Sequence, residues 1–444
     1  MKLIKNMIIT QFGDEYLLIN SLNGLIDRID KSAVDLINNW YDQDEIIPLS
    51  DLEEIFFSKL KSRGYLCHSF KEERDKKEEI IYALRKKHEK SKTIVSHITF
   101  VMTYDCNFRC PYCFEDSFNG ETVNSQSVRM DRDLIDAAFN LAGDALKSIG
   151  LFGGEPLLPK NRSALEYIIS KAPDKIYNIT TNGYHLDKFL TLLSKIKISN
   201  IMITLDGDED THNSRRFLVG GKPTFKKIIN NIEKCLESNI PIRIRMNLDD
   251  GNFNECIKLR EKLLRKFNMY ETLLSFEISP MMGMQVTKRN NMWGDLYRAD
   301  IEHSPVVQIQ MNRILSAFSP IINVLTTGAK LKPVYSFCSE HNNGIIVDPY
   351  GYIYPCLVSV GKKKFATGKY YPVVEYFENS VRDRNIESIP KCRECSYSLL
   401  CGGGCALNLN DNDEISKPEC FSIINQIHNV LPLFHTTSSK VEKH

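Results

Sequence analysis

Between His97 and about residue 300 the chain alternates two hydrophobic rhythms. The runs HITFVMTY, SIGLFGG, YNITTNG, NIMITLDG, PIRIRMNLD and LLSFEIS are short, apolar and rich in β-branched residues, and read as strands. Between them, stretches such as MDRDLIDAAFNLAGDALK and TFKKIINNIEKCLESN place apolar residues at helical spacing. Six such repeats with short connections predict an α/β fold, a parallel sheet with helices outside, either open or curled into a partial (β/α)6 barrel. In such folds the chemistry sits at the C-terminal ends of the strands.

The flanks follow other rhythms. In residues 1–70, MIITQFGDEYLLINSLNGLIDRID predicts short strands with turns at Gly13-Asp14 and Asn23-Gly24. SAVDLINNWY and SDLEEIFFSKLKSRG then predict two helices, the second capped by Ser50 and stopped by Gly64. Strands followed by helices match a small winged helix-turn-helix. Residues 71–96 carry dense charge of both signs and predict a solvated linking helix. The partial barrel is assigned to 97–304, a bridging helix to 305–334, a cysteine-rich domain to 335–434 and a frayed tail to 435–444.

Composition narrows the function. The 444 residues are 42% hydrophobic and 25% charged, as in a folded globular protein. Lys+Arg (57) and Asp+Glu (56) balance to a net charge of +1, which gives no reason to expect a nucleic-acid partner. No apolar run reaches the ~18 residues of a membrane span, and MKLIKNMIITQFGDEY lacks the features of a signal peptide. A cytoplasmic location with no membrane partner is expected. Thirteen cysteines in such a chain point to metal or redox chemistry. Cys67, Cys235 and Cys256 stand alone and read as small apolar residues, whereas the other ten fall into two groups.

The first group, Cys106, Cys110 and Cys113, follows the first barrel strand as Thr103-Tyr-Asp-Cys-Asn-Phe-Arg-Cys-Pro-Tyr-Cys-Phe. Three thiolates can ligate a cubane iron–sulfur cluster and leave one iron open. A zinc knuckle is the alternative, with His97 the next candidate ligand. This C-x3-C-x2-C signature resembles that of the radical S-adenosylmethionine (radical SAM) enzymes. The resemblance implies that S-adenosylmethionine chelates the open iron and that its reductive cleavage gives a 5′-deoxyadenosyl radical. It extends to Gly153-Gly154-Glu155-Pro156 after the second strand, Thr181-Asn182-Gly183 after the third, and Thr204-Leu205-Asp206-Gly207 after the fourth. By resemblance, Gly153, Gly154, Glu155, Thr181, Asn182, Thr204, Asp206, Arg216 and Asn247 border the cofactor. Glu155 would accept from the methionyl ammonium, and Thr204 and Arg216 would meet the methionyl carboxylate. Arg215 and Arg216 read equally as a solvent-facing basic pair, and Asn247 as a turn cap. No catalytic base is identified; Glu277, on the last barrel strand, is the acidic candidate.

The second group reads Cys338-x12-Gly351-x4-Cys356, then Cys392-x2-Cys395-x5-Cys401-x3-Cys405, then Cys420. This resembles the seven-cysteine SPASM domain of radical SAM peptide modifiers. By that resemblance Cys392, Cys395, Cys401 and Cys420 ligate one auxiliary cluster, and Cys338, Cys356 and Cys405 hold another that lacks one ligand, giving three [4Fe-4S] clusters in all. Structural zinc remains the alternative on spacing alone. Anaerobic sulfatase maturases carry a further cysteine just upstream and an acidic residue after the second SPASM cysteine; here KLKPVYSF has no cysteine and Leu357 stands at the acidic position. A free iron site suits a substrate thiolate. The N-terminal unit resembles the elements that bind leader peptides by adding a strand to a sheet edge, with ITQFGDEYLLINSL supplying the edge; a structural cap is the alternative. Together these imply a ribosomally synthesised precursor peptide as partner, a thioether as product and a flavodoxin or ferredoxin as electron donor. The rivals are a streptide-type carbon–carbon crosslink and a zinc-stapled module that binds peptide without catalysis.

Overall fold

The computed structural model describes residues 1–41, 43–92, 94–113, 115, 128–280, 321, 324–325, 327–337, 343–378, 381–409 and 416–434. The bridging helix, for the most part, and the tail expected from the sequence lie outside these residues, as does Cys338. Two compact units divide the chain, one comprising Met1–Lys90, Gln285–Ser339 and Asp383–His444, the other Ser91–Met284 and Glu340–Arg382.

The first unit begins with β1 (Lys2–Leu3), β2 (Met7–Phe12), β3 (Glu15–Asn20), β4 (Ile26–Ile29), α1 (Lys31–Trp40), α2 (Asp51–Ser62), β5 (Leu66–Cys67) and α3 (Phe70–Lys92). Strands β2, β3 and β4 form an antiparallel sheet in that order, so β2 and β4 are its edges. Gly13, at φ +67°, makes the tight β2–β3 connection. Asp30 and Ser50 cap α1 and α2 by accepting from the Ala33 and Glu53 amides. One core joins this N-terminal module to the C-terminal cysteine segment: Leu18, Ile37, Trp40 and Tyr65 pack with Ile386, Ile389 and Leu399. Helix α3 departs from the solvated linker expected of its charges. Glu73, Lys77, Ile81 and His88 are buried along it, a stripe at spacings of four and seven that faces the rest of the unit.

The second unit is built on β6 (His97–Val101), α4 (Arg132–Ala142), β7 (Ser148–Phe152), α5 (Arg162–Lys171), β8 (Ile176–Thr181), α6 (Leu186–Leu193), β9 (Lys197–Thr204), α7 (Glu209–Arg215), α8 (Phe225–Glu237), β10 (Ile242–Leu248), α9 (Phe253–Lys266) and β11 (Leu274–Pro280). The six strands lie parallel in sequence order from β6 to β11, as the alternation predicts. Along β10, Ile242, Ile244, Met246 and Leu248 are buried, which leaves Arg243, Arg245 and Asn247 on the opposite, polar face. The six strands do not close into a ring. Instead β12 (Gly344–Val347), from the cysteine-rich region, pairs in parallel with β6, and β13 (Tyr352–Tyr354), β14 (Gly368–Lys369) and β15 (Glu375–Tyr376) continue the sheet antiparallel. Among the described residues no helix is long and apolar enough to cross a membrane.

Asp348, buried at the end of β12, accepts from the Tyr350 and Tyr352 amides and from the Tyr104 hydroxyl at 2.9 Å. Burial outweighs these bonds and pushes its carboxyl up from 3.8 to about 6. The folded chain therefore holds this proton more tightly than the unfolded chain. The resulting stabilisation is present below pH ~4 and is lost as the pH rises through ~6. Urea unfolding of the metal-free protein at pH 4 to 7 should show stability relative to Asp348→Asn falling by up to about 3 kcal/mol across that window. A flat difference would exclude a raised Asp348 carboxyl.

Candidate active site at the C-terminal ends of the strands

The site begins where β6 ends. The loop after it is laid against the loop after β7 by backbone bonds: Gly154 N–H donates to Thr103 O at 2.9 Å and Glu155 N–H to Asp105 O at 2.8 Å. Only glycine permits this approach. A Cβ on Gly154 would stand 2.4 Å from Asp105 O and 2.5 Å from Tyr104 O, and Gly153 adopts φ +124°. The glycines thus bring two chain segments together.

Glu155 is fully buried, and its carboxylate binds three donors: the Thr181 hydroxyl at 2.6 Å, the Asn182 amide at 2.7 Å and the Leu157 amide at 2.8 Å. Burial raises its pKa, against the pull of these bonds. Glu155 thereby ties the end of β8 to the Gly-Gly turn. Asn182 carries the tie onward through its Nδ2, 2.8 Å from Asn107 Oδ1 and 3.8 Å from Cys106 Sγ. The cysteine loop is also paired with the segment after α7: Arg109 N–H donates to Phe217 O and Val219 N–H to Asn107 O, both at 2.9 Å.

A second node centres on Asp206, also fully buried. It accepts from the Asn247 amide at 3.1 Å and, in a short contact, from the Tyr112 hydroxyl. Arg216 donates to the same Tyr112 oxygen at 2.7 Å and lies 5.8 Å over the Phe108 ring. Burial alone would lower the Arg216 pKa, but Tyr112, Cys110 and Asp206 outweigh it and hold the guanidinium charged. Arg215 pairs with Asp249 at 2.8 Å and also borders this node, 3.8 Å from Asp206 and 5.1 Å over the Tyr112 ring. His212 is buried, and burial with the nearby Arg216 pushes its pKa well down. Thr224 donates to Arg216 O at 2.5 Å, so the His212 Nε2, 3.1 Å from the Thr224 hydroxyl, carries the proton.

The sequence-predicted residues fall as follows. Cys106, Cys110, Gly153, Gly154, Glu155, Thr181, Asn182, Asp206, Arg216 and Asn247 belong to one connected network. Cys113 follows within it, its amide donating to Cys110 O, and Thr204 is buried at the end of β9. Glu277 is committed to Arg245, at 2.6 Å, and lies 3.8 Å from Arg243. Tyr112, Asn107 and Arg245 were not foreseen as functional; Tyr112 stood in view as the aromatic of the cysteine signature. His97 bonds Ser148 and Thr99 in the sheet, away from a ligand's role. Two buried donors beside the cysteine loop, Asn107 Nδ2 and Arg216 Nε, have no protein partner among the described residues. Orphan donors next to three thiols fit an anionic cluster and a carboxylate ligand.

In the first unit, Cys392, Cys395, Cys401 and Cys420 lie within electrostatic reach of one another. Burial and these neighbours push Cys392 up to about 11 and Cys401 up to about 12. Gly402, Gly403 and Gly404 all have positive φ, and a Cβ on Gly404 would meet Glu419 O at 2.0 Å, so this turn sets Cys401 against the segment that carries Cys420. Cys405 follows the same turn, and Cys356 follows β13 in the second unit. Among the described residues no three His, Cys, Asp or Glu side chains gather as ligands of a single ion.

The Radical SAM superfamily matches residues 100–263. The chain carries a radical SAM domain. Sporulation killing factor maturation protein SkfB of Bacillus subtilis is 27% identical over 46% of this chain and 52% of its own. The chain spans about half the length of the curated relatives it matches, which include GTP 3′,8-cyclase of Clostridium perfringens, 29% identical over 37% of this chain and 50% of that one. The solved structure of Streptococcus suis SuiB bound to precursor peptide SuiA shares the fold over 95% of this chain and 99% of SuiB, with a TM-score of 0.52 and 14% identity. The radical SAM domain is thus the part on which family, fold and local geometry agree.

Gly154→Ala tests the loop pairing directly. The added Cβ meets two backbone carbonyls that cannot swing aside. Thermal unfolding should show a loss of about 2 kcal/mol or more, and iron retained per chain after anaerobic reconstitution should drop with it. Unchanged melting and iron content would refute the close approach.

Proposed function

We propose that the chain is a peptide maturase of the radical SAM–SPASM class that joins a cysteine sulfur to a carbon of a ribosomally synthesised precursor peptide. The observation that carries the reading is the convergence on the Cys106–Cys113 loop of Glu155, Asn182 and Asp206 from three strand ends and of Arg216 from the end of α7. Supporting it are the maturation protein among the relatives and the likeness to a fold that binds a precursor peptide.

S-adenosylmethionine on a cluster held by Cys106, Cys110 and Cys113 would supply a 5′-deoxyadenosyl radical that removes one hydrogen atom from a peptide carbon. The chain's own residues do the rest. Arg216, kept charged by Tyr112 and Asp206, offers a guanidinium to a carboxylate, and Glu155, with a lone pair beyond its three bonds, accepts from an ammonium. Arg243, Arg245 and Asn247 line the polar face of β10 and Glu277 that of β11, where a peptide's polar groups find partners. Closure of the thioether would release a proton from the substrate thiol to a base and one electron, which an auxiliary cluster would accept, leaving the peptide two hydrogens lighter per link. Cys392, Cys395, Cys401 and Cys420 would hold one such cluster, with Cys338, Cys356 and Cys405 holding another. A leader strand would add at an edge of the N-terminal sheet, which among the described residues is formed by β2 or β4, and a flavodoxin or ferredoxin would deliver the electrons that start the reaction.

Co-expression with a neighbouring precursor gene, followed by mass spectrometry, tests this. Each link should remove two hydrogens and one alkylatable thiol, and Cys110→Ala should abolish both losses. Two hydrogens lost with every thiol intact would mean a carbon–carbon crosslink instead. Metal analysis should give about twelve irons per chain, four for each of three cubanes; zinc without sulfide would overturn the enzyme reading.

A further inference from the structure

Lys77 is the least expected residue of the first unit. It projects from a helix whose sequence is almost all charge, yet only 5% of it is exposed. Its ammonium donates to Cys395 O at 2.8 Å, its one acceptor among the described residues. No carboxylate comes within ion-pair distance of it there. Glu73, one turn earlier, spends its Oε1 on the Asn6 amide and side chain, each at 2.7 Å. A buried ammonium with two N–H groups to spare and no counter-ion is costly unless a negative group stands beside it. The thiols of Cys395 and Cys392 lie within its electrostatic reach, as do the carboxylates of Glu73 and Glu394 beyond ion-pair distance.

The carbonyl it grips belongs to the Cys392-x2-Cys395 turn, and that turn is held from a second side. Ser21, at the end of β3, donates to Ser396 O at 2.9 Å, while its amide donates to Asn6 O at 3.1 Å. Asn6, Glu73, Ser21, Ser396 and Cys395 with Lys77 thus form two runs of polar contacts on the turn, joined by one turn of α3 between Glu73 and Lys77. These contacts fix the ammonium in place, so its charge acts at a set position.

We propose that Lys77 is the counter-charge of the auxiliary centre on Cys392, Cys395, Cys401 and Cys420, and that it sets that centre's reduction potential. The proposal rests on the reading above that these four cysteines hold an iron–sulfur cluster. Four thiolates on a cubane leave the assembly anionic, and reduction adds a further negative charge. A fixed cation stabilises the reduced form more than the oxidised one, and charge near the sulfurs is among the factors that set the potential.

The test uses the full-length, reconstituted protein and an electron-paramagnetic-resonance redox titration, following the signal that Cys395→Ala removes. Lys77→Met and Lys77→Gln should each make reduction of that centre about tenfold harder, ~59 mV more negative for one electron. Lys77→Arg, which keeps the charge, should stay within about threefold of the wild type. Loss of that centre's iron in both neutral variants, with retention in Lys77→Arg, would equally support the counter-charge. Neutral variants that titrate with the wild type, or an Arg variant shifted as far as Met, would overturn it. If Cys395→Ala retains all iron and every signal, the cluster assignment fails first, and Lys77 with it.

Discussion

Two backbone hydrogen bonds, from Gly154 to Thr103 and from Glu155 to Asp105, hold the mouth of the barrel in its present form. They place the cysteine loop against the Gly-Gly turn at a distance no side chain tolerates, and so aim Glu155 into the protein interior. A carboxylate buried there persists because three donors meet it, each bond to the charged group contributing about 1.5–3 kcal/mol. Two of those donors come from Thr181 and Asn182. The ends of β7 and β8 are thereby locked to one anion, and the backbone amide of the same residue holds the loop after β6. Asn182 then reaches Cys106, and the position of the first thiol follows from the rest.

Asp206 repeats the device on the far side of the same loop. It fixes Tyr112 between the second and third cysteines, and Tyr112 in turn presents its oxygen to Arg216. The cysteine loop is therefore held between a carboxylate that organises neutral donors and one that organises a cation. The turn of Cys392 and Cys395 is gripped by a lysine and a serine through main-chain carbonyls, and three positive-φ glycines fold the backbone after Cys401.

Much of this was legible from the residues. All six barrel strands lie where apolar β-rich runs placed them, because each is buried and short enough for its ends to be marked by glycine or polar turns. Cap residues such as Ser50 were equally readable. What escaped depended on tertiary contact. A stripe that carries Glu73 and Lys77 looks like solvated charge until the partners that satisfy it are known. Arg215 and Arg216 are chemically identical neighbours, and only the fold pairs one with Asp249 over the face of Tyr112 and gives the other the Tyr112 hydroxyl. The four residues of β12 match any short apolar run, and nothing local in them marks a parallel partner at His97.

That partner has a consequence for how the molecule is made. Strand β6 bonds to β7, the next strand in the chain, on one side; on the other it waits for β12, and Ser96 and Asn343 at the start of that pairing are 247 positions apart. Contacts so distant along the polymer carry a high entropic toll and form late. During synthesis, when chains fold from the N-terminus as they emerge, the strand that launches the cysteine loop stays half-bonded until most of the polypeptide has left the ribosome. The barrel's first strand is the last to be completed, so delivery of iron and sulfide to its thiols belongs after translation rather than during it.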